Sequence, residues 1–261
     1  MIGKILDMPN DSRTKTVVVA LLLCLVCSVV VSTAAVTLRP LQEANKAFDK
    51  KRNILQIAGM LRDDSSVDEL FAGIEARVVD LDSGAFVDDV DPESFDQRQA
   101  ARDPAESRAL SKDEDVASIR RRENLATVYL VRDQDRLETI ILPLHGYGLW
   151  STMYGFIALE GDARTVKGFG FYEHGETPGL GGEIDNPNWK SLWPGKQVYG
   201  ADGEVALEVI KGTVVAATPE PEYKVDGLAG ATLTSRGVSN LVQFWLGDQG
   251  FKPFLDNIRQ G

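Results

Sequence analysis

Cysteine is nearly absent from this chain. The two present, Cys24 and Cys27, both lie inside a long apolar run near the N-terminus. The rest of the sequence therefore has no disulfide and no thiolate metal site, and cysteine usage is silent on its redox compartment. Histidine is as scarce: with only His145 and His174, an all-histidine metal site lacks its third ligand, and no metal is expected. Basic charge is in deficit, 28 Lys and Arg against 39 Asp and Glu for a net charge of -11. A polyanion would be repelled, and no basic stripe with interleaved aromatics appears, so nucleic acid is not a partner. Also missing are βαβ alternation and the patterns G-x-G-x-x-G, H-E-x-x-H and G-x-S-x-G. Rossmann, metalloprotease and α/β-hydrolase chemistries thus have no motif support. His174-x-Glu176 begins like a zinc deaminase, but the required P-C-x-x-C is not there. No internal repeat is visible.

What is present begins with TVVVALLLCLVCSVVVSTAAVTL, residues 16–38, without a charge in it. A helix rising about 1.5 Å per residue needs ~20 apolar residues to cross a bilayer's hydrocarbon core. The run meets that length, with Arg39 and Pro40 expected to close it. Ser32-Thr33-Ala34 resembles a signal-peptide cleavage site, but signal cores are about 7–15 residues and this run stays apolar beyond it, which favours a retained anchor. Basic residues flank both sides, Lys4, Arg13 and Lys15 before and Arg39, Lys46, Lys50, Lys51 and Arg52 after. The positive-inside rule consequently gives no orientation. Cys24-x-x-Cys27 has the spacing of two cluster ligands, yet cysteine is also a small apolar residue at home in such a helix, and the segment holds nothing else polar enough for a cluster.

Beyond the anchor, Leu41, Ala44, Phe48, Leu55 and Ala58 recur at roughly helical spacing and predict an amphipathic helix over 41–61. A short helix is expected over 67–76 and strands at 77–81, 127–131, 139–142, 154–160 and 166–173, with turn chemistry from Asp135 and Gly161-Asp162. Two more short strands are expected at 205–211 and 213–217. Residues 88–124 are highly charged and poor in large apolar side chains, the composition of surface loops and an exposed helix. Val238, Leu241, Val242 and Trp245 mark the apolar face of a helix over 234–246. The fold class is α+β: a mostly antiparallel sheet with flanking helices, preceded by one transmembrane helix.

Three stretches carry more glycine and functional side chains than a core requires: 143–151 (PLHGYGLWS), 173–182 (EHGETPGLGG) and 226–235 (DGLAGATLTS). The third leads into the last amphipathic helix. A small-residue loop admits a ligand to the backbone, and a helix start offers unpaired N–H groups and partial positive charge, a phosphate-binding arrangement. Capping by Thr234 after a tight turn explains the same composition, and the residues alone leave both accounts open. For the second stretch, a polar turn with a satisfied histidine is the plainer account.

Taken in order, the anchor, 143–151, His174-Gly-Glu-Thr-Pro-Gly-Leu-Gly-Gly-Glu-Ile184 and Asp226-Gly-Leu-x-Gly-Ala-Thr-Leu-Thr-Ser235 resemble the C subunit of the sodium-translocating NADH:quinone reductases, over essentially the whole chain. The resemblance implies FMN esterified through its phosphate to the threonine of Gly230-Ala231-Thr232, attached by a separate flavin transferase that draws FMN from FAD. The family pattern usually has Ser where this chain has Ala229. Leu149, Trp150, Glu176, Thr177, Pro178, Gly179 and Leu180 are then expected against the isoalloxazine, with Lys224 biasing its potential by charge. Also implied are a cytoplasmic N-terminus (1–15), a membrane helix (16–38) and a periplasmic domain (39–261) whose flavin-binding part spans about 125–250, in the bacterial inner membrane. Five other subunits would complete the complex, which oxidises NADH, reduces ubiquinone and pumps sodium. The G subunit of Rnf-type ferredoxin:NAD oxidoreductases shares the threonine chemistry and is the nearest rival. Glu183-Ile184 and Asn186-Pro-Asn-Trp189…Trp193-Pro-Gly-Lys196, with the long charged region, favour the quinone reductase. A tethered module holding a phosphorylated ligand non-covalently is the alternative of another class.

Overall fold

A computed structural model describes residues 9, 12–62, 64–134 and 136–260; Lys4 and Asp135, named above, lie outside them. The chain divides into two units, residues 1–49 and 50–261.

In the first unit the apolar run is helical and its side chains are exposed. It belongs to helix α1, Arg13–Ile57, the one helix among the described residues long and apolar enough to cross a membrane. The expected stop at Arg39-Pro40 is not observed, since Pro40 lies inside α1. Proline removes one backbone hydrogen bond, but its fixed φ is helical, and the adjoining turns carry the helix past it. No separate amphipathic helix over 41–61 exists: Leu41 and Phe48 are exposed, and the buried stripe is confined to Ile54, Leu55, Ile57 and Ala58.

The second unit is built on a five-stranded antiparallel sheet. Its strands are β1 (Ile74–Asp80), β4 (Leu125–Asp133), β5 (Arg136–Tyr147), β6 (Thr152–Glu160) and β7 (Val166–Glu173), paired in the order β1-β4-β5-β6-β7. Helix α2 (Val67–Phe71), closed by a capping box from Ser66 and Glu69, ends before the expected boundary because Ile74 already pairs with Val131 in the sheet. One sheet face, with Ile140, Leu142, Ile157, Phe169 and Phe171, packs on Val238, Leu241, Val242 and Trp245 of α5 (Thr232–Leu246). The other, with Tyr129, Ile141, Phe156 and Ala158, packs on Ile54, Leu55 and Ala58. Covering on both faces is why β4–β6 read as continuous apolar runs rather than alternating ones. Each Val, Leu, Ile or Phe side chain among these contributes about 1.5–3 kcal/mol on leaving water.

Between β1 and β4, the charged stretch forms α3 (Gln97–Ala100) and a small antiparallel pair, β2 (Ser107–Ala109) with β3 (Arg121–Glu123). It is more than surface loop, because Arg122 and Glu123 are almost wholly buried. After β7 come a 3₁₀ turn at Gly181–Asp185 and α4 (Pro187–Lys190). The two strands expected at 205–217 shrink to β8 (Glu208–Val209), which pairs in parallel with β9 (Lys224–Val225). Residues 213–217 form no strand: the Val214 N–H donates to Asp226 Oδ1 and the Val215 N–H to Thr218 Oγ1. Side chains thus satisfy the backbone groups a ladder would have used. Helix α6 (Lys252–Gln260) closes the described chain.

Candidate functional site

The three glycine-rich stretches meet at one carboxylate. Glu176, 5% exposed, accepts hydrogen bonds at Oε1 from the Leu149 and Trp150 backbone N–H groups, each 3.0 Å, and at Oε2 from the Thr234 hydroxyl, 2.5 Å. One side chain therefore joins the β5–β6 turn, the loop after β7 and the first turn of α5. Gly181 lets the loops close on it: a Cβ there would stand 2.5 Å from Thr234 Oγ1 and 2.8 Å from Glu176 Oε2. His174 fixes the loop through both ring nitrogens. Its Nδ1 accepts the Glu176 N–H at 3.1 Å, which places the ring proton on Nε2, 2.7 Å from Asp185 Oδ2. Ser151 Oγ accepts the Gly175 N–H at 2.6 Å, and the Thr177 carbonyl accepts the N–H groups of Leu180 and Gly182.

The approach to α5 is set by Gly230, whose φ of +73° is a conformation that side-chain-bearing residues avoid. Ser235 Oγ accepts the Leu228 N–H and donates to the Ala231 carbonyl, pinning the turn. The cap position is Ala231, which has no side-chain oxygen. Thr234 is therefore no helix cap. It is fully buried and spends its hydroxyl on Glu176. Thr232, the first residue of α5, is exposed, and among the described residues nothing engages its hydroxyl.

Exposed apolar side chains adjoin the segment that carries this hydroxyl. In the described part of the second unit the exposed large apolar side chains are Val116, Tyr147, Leu149, Trp150, Leu180, Val215 and Leu233. Leu149 and Trp150 hang from Glu176 by their backbone, the Tyr147 hydroxyl donates to the Trp150 carbonyl, and a Cβ on Gly230 would lie 3.2 Å from Leu180. Leu233 sits beside Thr234. Exposed apolar side chains gathered in this way mark an interaction site.

Of the residues expected at the site, Leu149, Trp150, Glu176, Leu180, Gly230, Ala231 and Thr232 are brought together, with Thr177, Pro178 and Gly179 in the same loop. Lys224 is not tied to this group: its ammonium pairs with Glu208 at 2.7 Å, half-buried. Leu233 and the true role of Thr234 were missed. Thr234 lies on the same helical stripe as Val238, Leu241 and Trp245, and a hydroxyl on a buried stripe signals a buried partner. Among the described residues no group of three or more His, Cys, Asp or Glu is placed to hold a metal ion.

A sequence-family model described as FMN-binding domain matches residues 148–247. The C subunit of the Na(+)-translocating NADH-quinone reductase of Pseudomonas aeruginosa is 56% identical over 256 residues, covering 97% of this chain and 98% of that protein. The chain belongs to the family of this reductase's C subunits. Its counterpart in Vibrio alginolyticus is 51% identical over 253 residues, 97% of either chain. Among solved structures, NqrC of Shewanella oneidensis superimposes with a TM-score of 0.77 at 36% identity, over 84% of this chain and 100% of that one. The FMN-binding domain of this family member thus opens in the turn that carries Leu149 and Trp150 and closes just past α5.

The residues fit the cofactor. A free, exposed hydroxyl stands at a helix start that has no side-chain cap, which suits a phosphate. The apolar side chains beside it suit an isoalloxazine.

Proposed function

We propose that this chain is the membrane-anchored electron carrier of a Na(+)-translocating NADH-quinone reductase, with FMN joined covalently through its phosphate to Thr232. The observation that carries this is the exposed, unpartnered Thr232 hydroxyl at the open N-terminus of α5, inside the FMN-binding domain. In attachment, the Thr232 oxygen takes the FMN phosphorus of FAD, the pyrophosphate bond breaks, and AMP and the hydroxyl proton leave; a flavin transferase would carry this out. When bound, the flavin supplies reversible electron uptake.

The protein's own part is positioning. Partial positive charge at the helix start favours the phosphodiester by ~0.3–1 kcal/mol in exposed settings. Glu176 fixes the turns bearing Leu149, Trp150 and Leu180, which cover the ring together with Thr177, Pro178 and Gly179. Lys224, bonded to none of these residues and paired with Glu208, would act through space, its charge favouring a more negative reduced flavin and so raising the midpoint potential, with Glu208 offsetting part of that effect. Lys224→Ala is expected to lower the potential and Glu208→Gln to raise it; unchanged potentials in both would remove the role.

In the same reading residues 1–15 are cytoplasmic, 16–38 cross the inner membrane, and 39–261 are periplasmic, with the flavin part at about 125–250. The uncharged helical run supports the anchor; family membership supports the side, and the presence of five partner subunits with NADH, ubiquinone and sodium as the complex's substrates. The test is in-gel fluorescence after denaturing electrophoresis of the chain co-expressed with a flavin transferase. A fluorescent band in wild type that vanishes in Thr232→Ala is expected. No band in wild type, with the transferase active on another substrate, would leave the non-covalent binding module as the better account.

A further inference from the structure

The first turn of α5 is arranged against the helix's own field. A helix start carries partial positive charge, which acidic residues in the first turn or an oxygen at the cap ordinarily balance. Here the cap is Ala231 with no side-chain hydrogen bond, and the first turn has no acidic residue. One turn in stands Arg236, a full positive charge added to the partial one. Arg236 is exposed, and among the described residues no hydrogen bond or ion pair engages it. The cations nearest in sequence differ: Lys224 is held by Glu208, and Lys252 by Glu204 and Asp248.

Position and direction give the unpaired charge a target. Residues four apart on a helix are surface neighbours. Helical side chains lean toward the N-terminus, so a residue covers the turn before its own Cα. Arg236 is therefore directed over Thr232, and both lie on the exposed side while Thr234, Ser235 and Val238 are buried. Glu176, the carboxylate that reaches the first turn of α5, is buried and already accepts three hydrogen bonds.

We propose that Arg236 is the counter-ion of the phosphodiester on Thr232, a positioning residue that holds the flavin's phosphate against the start of α5. The inference rests on the covalent attachment proposed above. Arginine suits the task because its guanidinium presents paired donors to two phosphate oxygens. The arrangement also gives the unflavinylated chain an uncompensated charge cluster that attachment relieves.

The full-length chain in detergent, made with and without an active flavin transferase, provides the test. Melting midpoints are compared for wild type, Arg236→Gln and Arg236→Lys, with in-gel fluorescence reporting occupancy. In the flavinylated chain Arg236→Gln is expected to lower the midpoint by about 2 °C, the scale of an exposed ion pair in a domain of this size. Lys should restore most of it, and ~1 M salt should erase it. Without flavin the same Gln substitution should leave the midpoint unchanged or raise it, because a cation has left the helix start. An equal drop with and without flavin, or no drop in the flavinylated chain, would overturn the role of Arg236 alone. A wild-type chain that acquires no fluorescent band beside an active transferase would overturn the covalent attachment and this inference with it.

Discussion

Glu176 is the residue on which the site's geometry turns, since three donors from two other segments converge on its carboxylate. Charge-assisted hydrogen bonds contribute about 1.5–3 kcal/mol each, and removing their shared acceptor leaves a buried hydroxyl and two amides to find water. Glu176→Ala is therefore expected to cost at least about 3 kcal/mol by denaturant unfolding, and to reduce flavin occupancy although Thr232 is untouched. Full occupancy at wild-type stability would show that the clamp is dispensable. Gly181→Ala tests the same point from the other side. Its methyl would stand 2.5 Å from Thr234 Oγ1, and overpacking of this kind costs about 1–3 kcal/mol. That Thr232 rather than Thr234 is available could not be read from composition, because both hydroxyls belong to one small-residue loop. The difference appears only when the helix stripe is laid against the sheet and Thr234 turns inward with Val238 and Leu241.

At the scale of elements, α3, β3 and β5 enclose a pair of titratable side chains. Glu123 is fully buried, accepts a hydrogen bond from Gln97 Nε2 at Oε1, and has Arg122 beside it; its other oxygen, Oε2, is without a partner. Burial pushes its carboxyl up to about 7. Facing it at 4.0 Å is His145, stacked on Tyr154 and close to Trp245; burial first, and the nearby Arg98 guanidinium second, bring its imidazole down to about 4. Between these values both groups are neutral, so the contact is not an ion pair.

The two groups act on stability in opposite directions. The folded state holds the Glu123 proton more tightly than the unfolded chain does, so stability declines as pH rises from the unfolded value of 4.5 through about 7. It holds the His145 proton less tightly, so stability falls as pH drops from 6.5 toward about 4. Glu123→Gln, which mimics the protonated acid, should widen its stability advantage over wild type between pH 5 and pH 8, read from melting midpoints. A gap independent of pH would mean that Glu123 does not titrate in this range. The sequence shows 88–124 only as a charged surface, because period and composition do not reveal that Arg122 will reach Asp82 and the Gln249 carbonyl while Glu123 turns to His145. The long strands were legible in advance because their apolar runs are unbroken. Residues 213–217 misled because β-branched composition carries no notice that Asp226 and Thr218 will take their amides.

For the whole molecule, one uncharged helical run and one FMN-binding domain are, in the proposed function, the two halves of a tethered carrier. The chain is expected to resist alkaline extraction from membranes. Protease added outside intact spheroplasts should digest the domain after residue 39 while a cytoplasmic marker survives. Protection of the domain from external protease would place it on the other side, which the basic residues flanking both ends of the helix leave undecided. Tethering would limit the carrier's range, and a covalent bond at Thr232 would keep the flavin from being lost where free FMN is dilute.

Peptide mapping by tandem mass spectrometry reads that bond at the level of the single residue. The chain, co-expressed with an active flavin transferase, is digested, and the peptide spanning Thr232 and Thr234 is fragmented. The mass of FMN less one water is expected on Thr232, with Thr234 unmodified. An adduct on Thr234, or an unmodified peptide beside a second substrate the transferase has flavinylated, would contradict it.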